Sequence, residues 1–282
     1  MRSSNPVFSR RGFSRDNGFA SFNAAQQAGG PAAVQQGNPY ASGNPYAQTA
    51  DGTLQGAPPV APPQTDRMTM DDVVMRTGIT LGTVVVGAAV AWIMSMPLPL
   101  AVGCGLVAMV LGLVQAFKRK ASPPLIIAYA AFEGLFLGAL SSAINERLDG
   151  APMQAVLGTM AVFVGVLIAY KTRLIRVNQR FYRYVMAAAI GFLLLTAVNL
   201  LFMAFGGGDG LGFRSGGLGI LFGVVGVILG ACFLALDFKQ VEDGIAYGAP
   251  REESWLAAFG LTMTLVWIYL ELLRLISILR GD

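Results

Sequence analysis

The sequence predicts an all-α protein: a polytopic membrane helix bundle of seven transmembrane helices, preceded by a disordered tail. Three observations carry that expectation. Apolar residues make up 54% of the chain and charged residues only 13%, against about 25% charge in a typical soluble domain. A soluble core of 282 residues does not hide that much apolar surface, whereas a bilayer removes the difficulty. Beyond residue 68 the chain is a succession of apolar runs near the roughly 20 residues needed to cross hydrocarbon.

Two segments follow from this, a tail over 1–68 and a membrane domain over 69–282. The tail is rich in Gly, Pro, Ala, Gln, Asn and Ser, and the unit GNPYA occurs at 37–41 and again at 43–47. So little apolar mass does not offset the entropy of ordering. Tyr40 and Tyr46, spaced among polar residues, suit weak contacts with membrane-protein partners; a solvated tail with no partner is the plainer reading. Residues 1–30 hold arginines but no apolar stretch of the kind a signal peptide needs.

Thr69, with Asp72 three residues on, resembles a capping box, and the helix it opens leads into a first span at about 77–95. Pro97 and Pro99 turn the chain into a second span at 100–117, closed by Lys118, Arg119 and Lys120. Pro123 and Pro124 open the third, 124–144. The fourth, 153–170, ends at Lys171; the fifth is 184–205. A Gly-rich loop, 206–217, precedes the sixth at 218–237, and the seventh is 255–279. Gly219, Gly223, Gly226 and Gly230 fall near one face of the sixth span, a spacing that lets helix backbones approach closely.

The net charge is +4, but the basic residues sit in short loops, where they set topology rather than bind nucleic acid. Lys118, Arg119 and Lys120 crowd one loop; Lys171, Arg173, Arg176, Arg180 and Arg183 crowd another; neither holds an acid. The positive-inside rule then places the tail in the cytoplasm, the C-terminus outside, and the 238–254 loop in the cytoplasm. This is the layout of a multi-pass membrane protein.

The chain has no histidine, which excludes His-ligated metals, Ser-His or Cys-His catalysis and a histidine pH switch. Cys104 and Cys232 lie inside apolar runs and read as small buried hydrophobes, with no disulfide framework. An enzyme is not expected. Intramembrane proteolysis requires a Ser-His set, a metal site or an aspartyl pair in a Gly-x-Gly-Asp setting, and the acid-glycine run at 207–210 reads as a turn.

Ionisable groups inside spans are costly and point to function. Four stand out: Glu133, Asp237, Glu271 and Arg274. Asp237 ends the sixth span, as a functional acid or an interfacial one. Glu271 lies deep in the seventh and has an i,i+3 partner in Arg274, which lowers its burial cost. Glu133, mid-span with no charged neighbour within a turn, stays protonated, meets a cation or faces water.

Two stretches carry a family resemblance. Leu236-Asp237-Phe238-Lys239-Gln240-Val241 resembles the Tyr-Asp-x-x-Gln-Ile pattern of the Bax inhibitor-1 (transmembrane Bax inhibitor motif) family. The run from Ile268 to Ile276 resembles that family's Leu-Tyr-Leu-Asp-x-Ile-Asn-Leu-Phe pattern. The seven-span layout and the Gly134–Gly138 run fit as well. The likeness covers about 70–282, leaves the tail outside, and is nearest an actinobacterial branch, which would place the chain in a bacterial cell (inner) membrane. It implies a pH-sensitive calcium (cation) leak channel or exchanger, gated by a proton-sharing carboxylate pair, here Asp237 and Glu271, on the last two helices. Those two acids would also be the calcium ligands, with Glu133 and Arg274 as pathway or pairing partners. Calcium and protons are then the permeant species, and no cofactor is implied. A non-transporting role, modulating stress responses or membrane proteases by binding, is the alternative that the resemblance allows. The chain departs from the pattern at four places. Glu271 stands where Asp is usual, Arg274 replaces Asn, Leu236 replaces Tyr, and the segment joining the two motifs is longer.

Overall fold

Thr69 starts the first helix. Its Oγ1 accepts the Asp72 amide hydrogen at 3.2 Å and donates to the Asp72 carboxylate at 2.8 Å. One of the amides orphaned at a helix start is thereby satisfied. The computed structural model describes residues 67–118, 120–206 and 216–281. In it this helix, α1, runs Met70–Ile93, followed by α2 (Leu98–Phe117), α3 (Pro123–Asn145), α4 (Ala151–Lys171), α5 (Gln179–Gly206), α6 (Gly216–Ala246) and α7 (Glu253–Gly281). All seven are long and apolar enough to cross a membrane. Among the described residues the one β feature is an isolated antiparallel bridge between Arg67 and Pro250. The fold is thus the all-α, seven-span bundle that the apolar runs predict. The tail over 1–66, the loop residues 207–215 and Arg119 lie outside the described residues.

Several boundaries move. α6 does not stop at Asp237 but continues to Ala246. Lys239 Nζ reaches Asp243 Oδ1 one turn on at 2.5 Å, and Val241 is buried at 4% exposure, so the chain gains by staying helical. The predicted 238–254 loop shrinks to 247–252. α5 begins at Gln179, where Asn178 Oδ1 accepts the Phe181 amide at 2.8 Å. Arg180 and Arg183 therefore stand on a helix rather than in a loop.

α7 is the hub, packed against α1, α3, α4 and α6. α1 and α3 approach backbone to backbone. A Cβ added at Gly134 would run into the Val84 backbone, and one at Gly138 into that of Ala88. The predicted glycine face of α6 is buried at Gly219, Gly223, Gly226 and Gly230, and the last three of these meet α7. On the outside, Val85, Val86, Leu106, Val110, Leu194 and Leu201 are exposed. Such a belt is stable only in a lipid solvent.

Candidate functional site: acids around the central helix

Four helices close around α7, so polar groups on it are withdrawn from lipid. Its face toward α6 carries Gly260, Thr264, Trp267, Ile268, Glu271 and Leu275, at helical spacing. Thr264 Oγ1 donates to Asp237 Oδ2 at 2.6 Å. Gly260 leaves the space beside the other oxygen, since a Cβ there would sit 3.5 Å from Asp237 Oδ1. A carboxylate bonded by a hydroxyl and partly buried between two helices is held in one place.

Glu271 is 7% exposed. Arg274 Nη2 lies 2.6 Å from its Oε2, the i,i+3 pair anticipated from the sequence. Gly226 of α6 makes room for it, because a Cβ at that position would come within 2.9 Å of the Glu271 carboxyl. Trp267 Nε1 donates to the Gly226 carbonyl at 3.2 Å and secures the same level of the interface. The Arg274 guanidinium also stands 6.0 Å from the centre of the Phe222 ring, within reach of a cation–π attraction.

The structure brings both acids to the α6–α7 interface but not to each other. Thr264, the partner of Asp237, precedes Glu271 by seven residues, about 10 Å along a helix axis at roughly 1.5 Å per residue. The reason is register. In an antiparallel hairpin, residues equidistant from the turn face one another. Asp237 stands ten residues before the turn at 247–252 and Glu271 nineteen after it. Gly230 against Ile268 locks that register and so holds the two acids apart along the interface. The proton-sharing pair is not formed here, and the expected calcium site lacks its two-carboxylate core. Among the described residues no three His, Cys, Asp or Glu side chains gather in a way that could hold a metal ion.

Glu133 is 9% exposed on α3. No hydrogen bond or ion pair reaches its carboxyl among the described residues. One turn before it, Tyr129 packs edge-on against Phe259 of α7 with ring centres 5.1 Å apart. Two turns after it, the Ser141 and Tyr269 hydroxyls are 2.6 Å apart. Glu133 therefore lies between the levels of Phe259 and Tyr269, the stretch of α7 that includes Thr264. It faces that stretch from α3 while Asp237 faces it from α6. In the same stretch the buried Thr80 and Thr262 hydroxyls bond each other at 2.8 Å.

Sequence reasoning missed these hydroxyls, since a threonine in a span is usually bonded to its own helix. It also missed a latch at the other end of the bundle. Asp72, expected as a cap, is in addition ion-paired with Arg251 at 2.8 Å. Arg76 donates to the Arg251 carbonyl at 2.6 Å and lies 5.1 Å from the Trp255 ring centre. The Met68 amide donates to Ala249 at 2.8 Å. The cysteines are free, Cys104 buried and Cys232 half-buried.

Residues 5–281 match the model of a family described as Bax inhibitor 1 like. The match begins inside the tail, where the sequence motifs placed the resemblance only from about residue 70 onward. No curated protein matches the chain.

Proposed function

The chain belongs to the Bax inhibitor 1 like family, and from that premise we propose that it is a pH-sensitive leak channel or exchanger for cations, calcium foremost. The observation that supports this most is the placement of Asp237 and Glu133 on opposite sides of α7, inside membrane-spanning helices, over the same stretch. Acids within spans are costly to bury and by default point to an ion or proton path. Calcium takes oxygen ligands, and carboxylates joined by backbone carbonyls and hydroxyls provide them.

On this reading the acids are separate stations rather than one proton-sharing pair. Ionised Asp237 attracts the cation; protonated Asp237 is neutral and no longer draws it in. Flux therefore falls as pH falls. Arg274, fixed on Glu271, places a positive charge beside the path at its outer half and opposes passage there. No covalent chemistry is required, and we infer that the protein is not an enzyme. We place it in a bacterial inner membrane, as the family resemblance implies, and the basic loops favour a cytoplasmic N-terminus and an outward C-terminus.

The experiment is calcium flux into proteoliposomes between about pH 6 and pH 8, bracketing neutrality. The wild type should conduct more at the higher pH. Flux that stays the same when Asp237→Asn and Glu133→Gln are combined would sink the reading.

A second reading has one observation in its favour: the family match includes the tail from residue 5. The tail would then recruit membrane-protein partners. Deleting 1–66 should change co-purifying complexes and spare flux; an unchanged set of complexes would remove this role.

A further inference from the structure

At the end of the bundle opposite the latch, the last turns of α3 and α7 leave an open groove of about 750 Å³. Leu140, Ile144 and Leu270 form apolar wall, and Arg147, Arg274 and Arg280 line the same space. The Arg147 and Leu148 amides bond back to the Ile144 carbonyl at 3.1 and 2.8 Å, which winds the chain past the end of α3 and sets Arg147 at the mouth. Gly150, at φ 76, takes the left-handed conformation that turns the chain into α4. Arg280 Nη1 donates to the Asp149 carbonyl at 3.1 Å, tying the end of α7 to that same turn. The two exposed arginines, one from each helix, thus converge at one mouth. Arg274 lies six residues below Arg280, about 9 Å deeper, with its charge answered by Glu271. Glu146 and Asp149, the acids of the turn, are not among the residues lining the groove.

We infer that this groove binds an anionic glycerophospholipid, its phosphate between Arg147 and Arg280 and one acyl chain along Leu140, Ile144 and Leu270. Guanidinium groups fork onto phosphate oxygens with charge-assisted bonds. The volume falls within the ~300–1,000 Å³ of small-molecule sites. Topology does not explain the arginines, because the positive-inside rule predicts few at this end. The apolar wall selects a lipid over a free anion. It continues about 15 Å from Arg280 toward Leu270 along α7, and a soluble phosphate has no use for it.

The test is native mass spectrometry of the full chain released from mixed micelles of phosphatidylglycerol and phosphatidylcholine with matched acyl chains. Phosphatidylglycerol should be retained over phosphatidylcholine by about tenfold, and Arg147→Gln combined with Arg280→Gln should bring the ratio near one. Arg173→Gln combined with Arg176→Gln, at the opposite end, should leave it unchanged. Equal retention of the two lipids, or a preference that survives the double variant, overturns the inference. So does glycerol phosphate competing as well as the lipid, which would make this a free-anion site. A second measurement needs no variant. Phosphatidylglycerol with a photoreactive acyl chain should label 140–148 and 270–281, and labelling confined to other helices overturns the inference.

Discussion

Arg274 Nη2 lies 2.6 Å from Glu271 Oε2 on the same helix, and both side chains are largely withdrawn from solvent, at 17% and 8% exposure. A pair of this kind is asymmetric: keeping it adds little, but deleting one member strands a buried charge. Arg274→Gln should therefore cost about 3–5 kcal/mol, and Arg274→Gln with Glu271→Gln much less than the two single changes summed. Denaturant unfolding in detergent, arranged as a double-mutant cycle, checks this; additive losses would show that the two side chains act independently.

Asp237→Asn retains an oxygen that accepts the Thr264 hydroxyl, so stability should change by no more than about 1 kcal/mol. Flux should lose the part of its pH dependence that Asp237 carries, because the charge that its protonation removes is already absent. Paired unfolding and flux measurements separate the two effects. A variant that unfolds, or one that keeps the wild-type pH profile, contradicts this assignment of Asp237.

Helix contact through glycine predicts position-specific costs. A Cβ at Gly230 would come within 2.5 Å of Ile268 Cγ1, and one at Gly138 would meet the Ala88 backbone. Gly82 has nothing within 4 Å. Gly138→Ala should separate α1 from α3 and destabilise by about 1–3 kcal/mol. Gly82→Ala should be neutral or stabilising by up to about 1 kcal/mol. Thermal midpoints of the two variants rank them.

The latch joins the start of α1 to the α6–α7 turn through Asp72, Arg76 and Arg251. Arg251→Gln removes the ion pair to Asp72. Hydrogen exchange should then quicken over 67–76 and 247–252 and stay unchanged over 126–141. Uniform acceleration across α3 would instead mean that the whole bundle had loosened.

Orientation is testable with a background of Cys104→Ser and Cys232→Ser. Leu148→Cys, beside the arginine groove, should react with an impermeant maleimide in intact cells. Arg173→Cys should react only after permeabilisation. The reverse pattern would invert the topology.

Span number and order were legible because hydropathy is local: about 20 adjacent residues decide it without reference to the rest of the chain. The acids were legible for a similar reason, since Glu133, Asp237 and Glu271 each stand out against apolar neighbours. The Glu271–Arg274 pair was visible too, because i,i+3 spacing is a property of one helix. The end of α6 was not. An amphipathic run with Lys239 and Asp243 one turn apart reads as a polar loop until Val241 is seen to be buried.

The sequence by itself determined a seven-span, histidine-free bundle with four ionisable groups inside it. Only the tertiary structure decided which of them meet. Thr264 is 27 residues from Asp237 in the chain, and Arg280 is 131 from Asp149. Such contacts depend on hairpin register and on how the last turns of two separate helices converge. Asp237 and Glu271 are parted because the length of one turn and the fit of Gly230 to Ile268 set the slide of α6 along α7. Slide is a property of two packed surfaces, and no single stretch of residues encodes it.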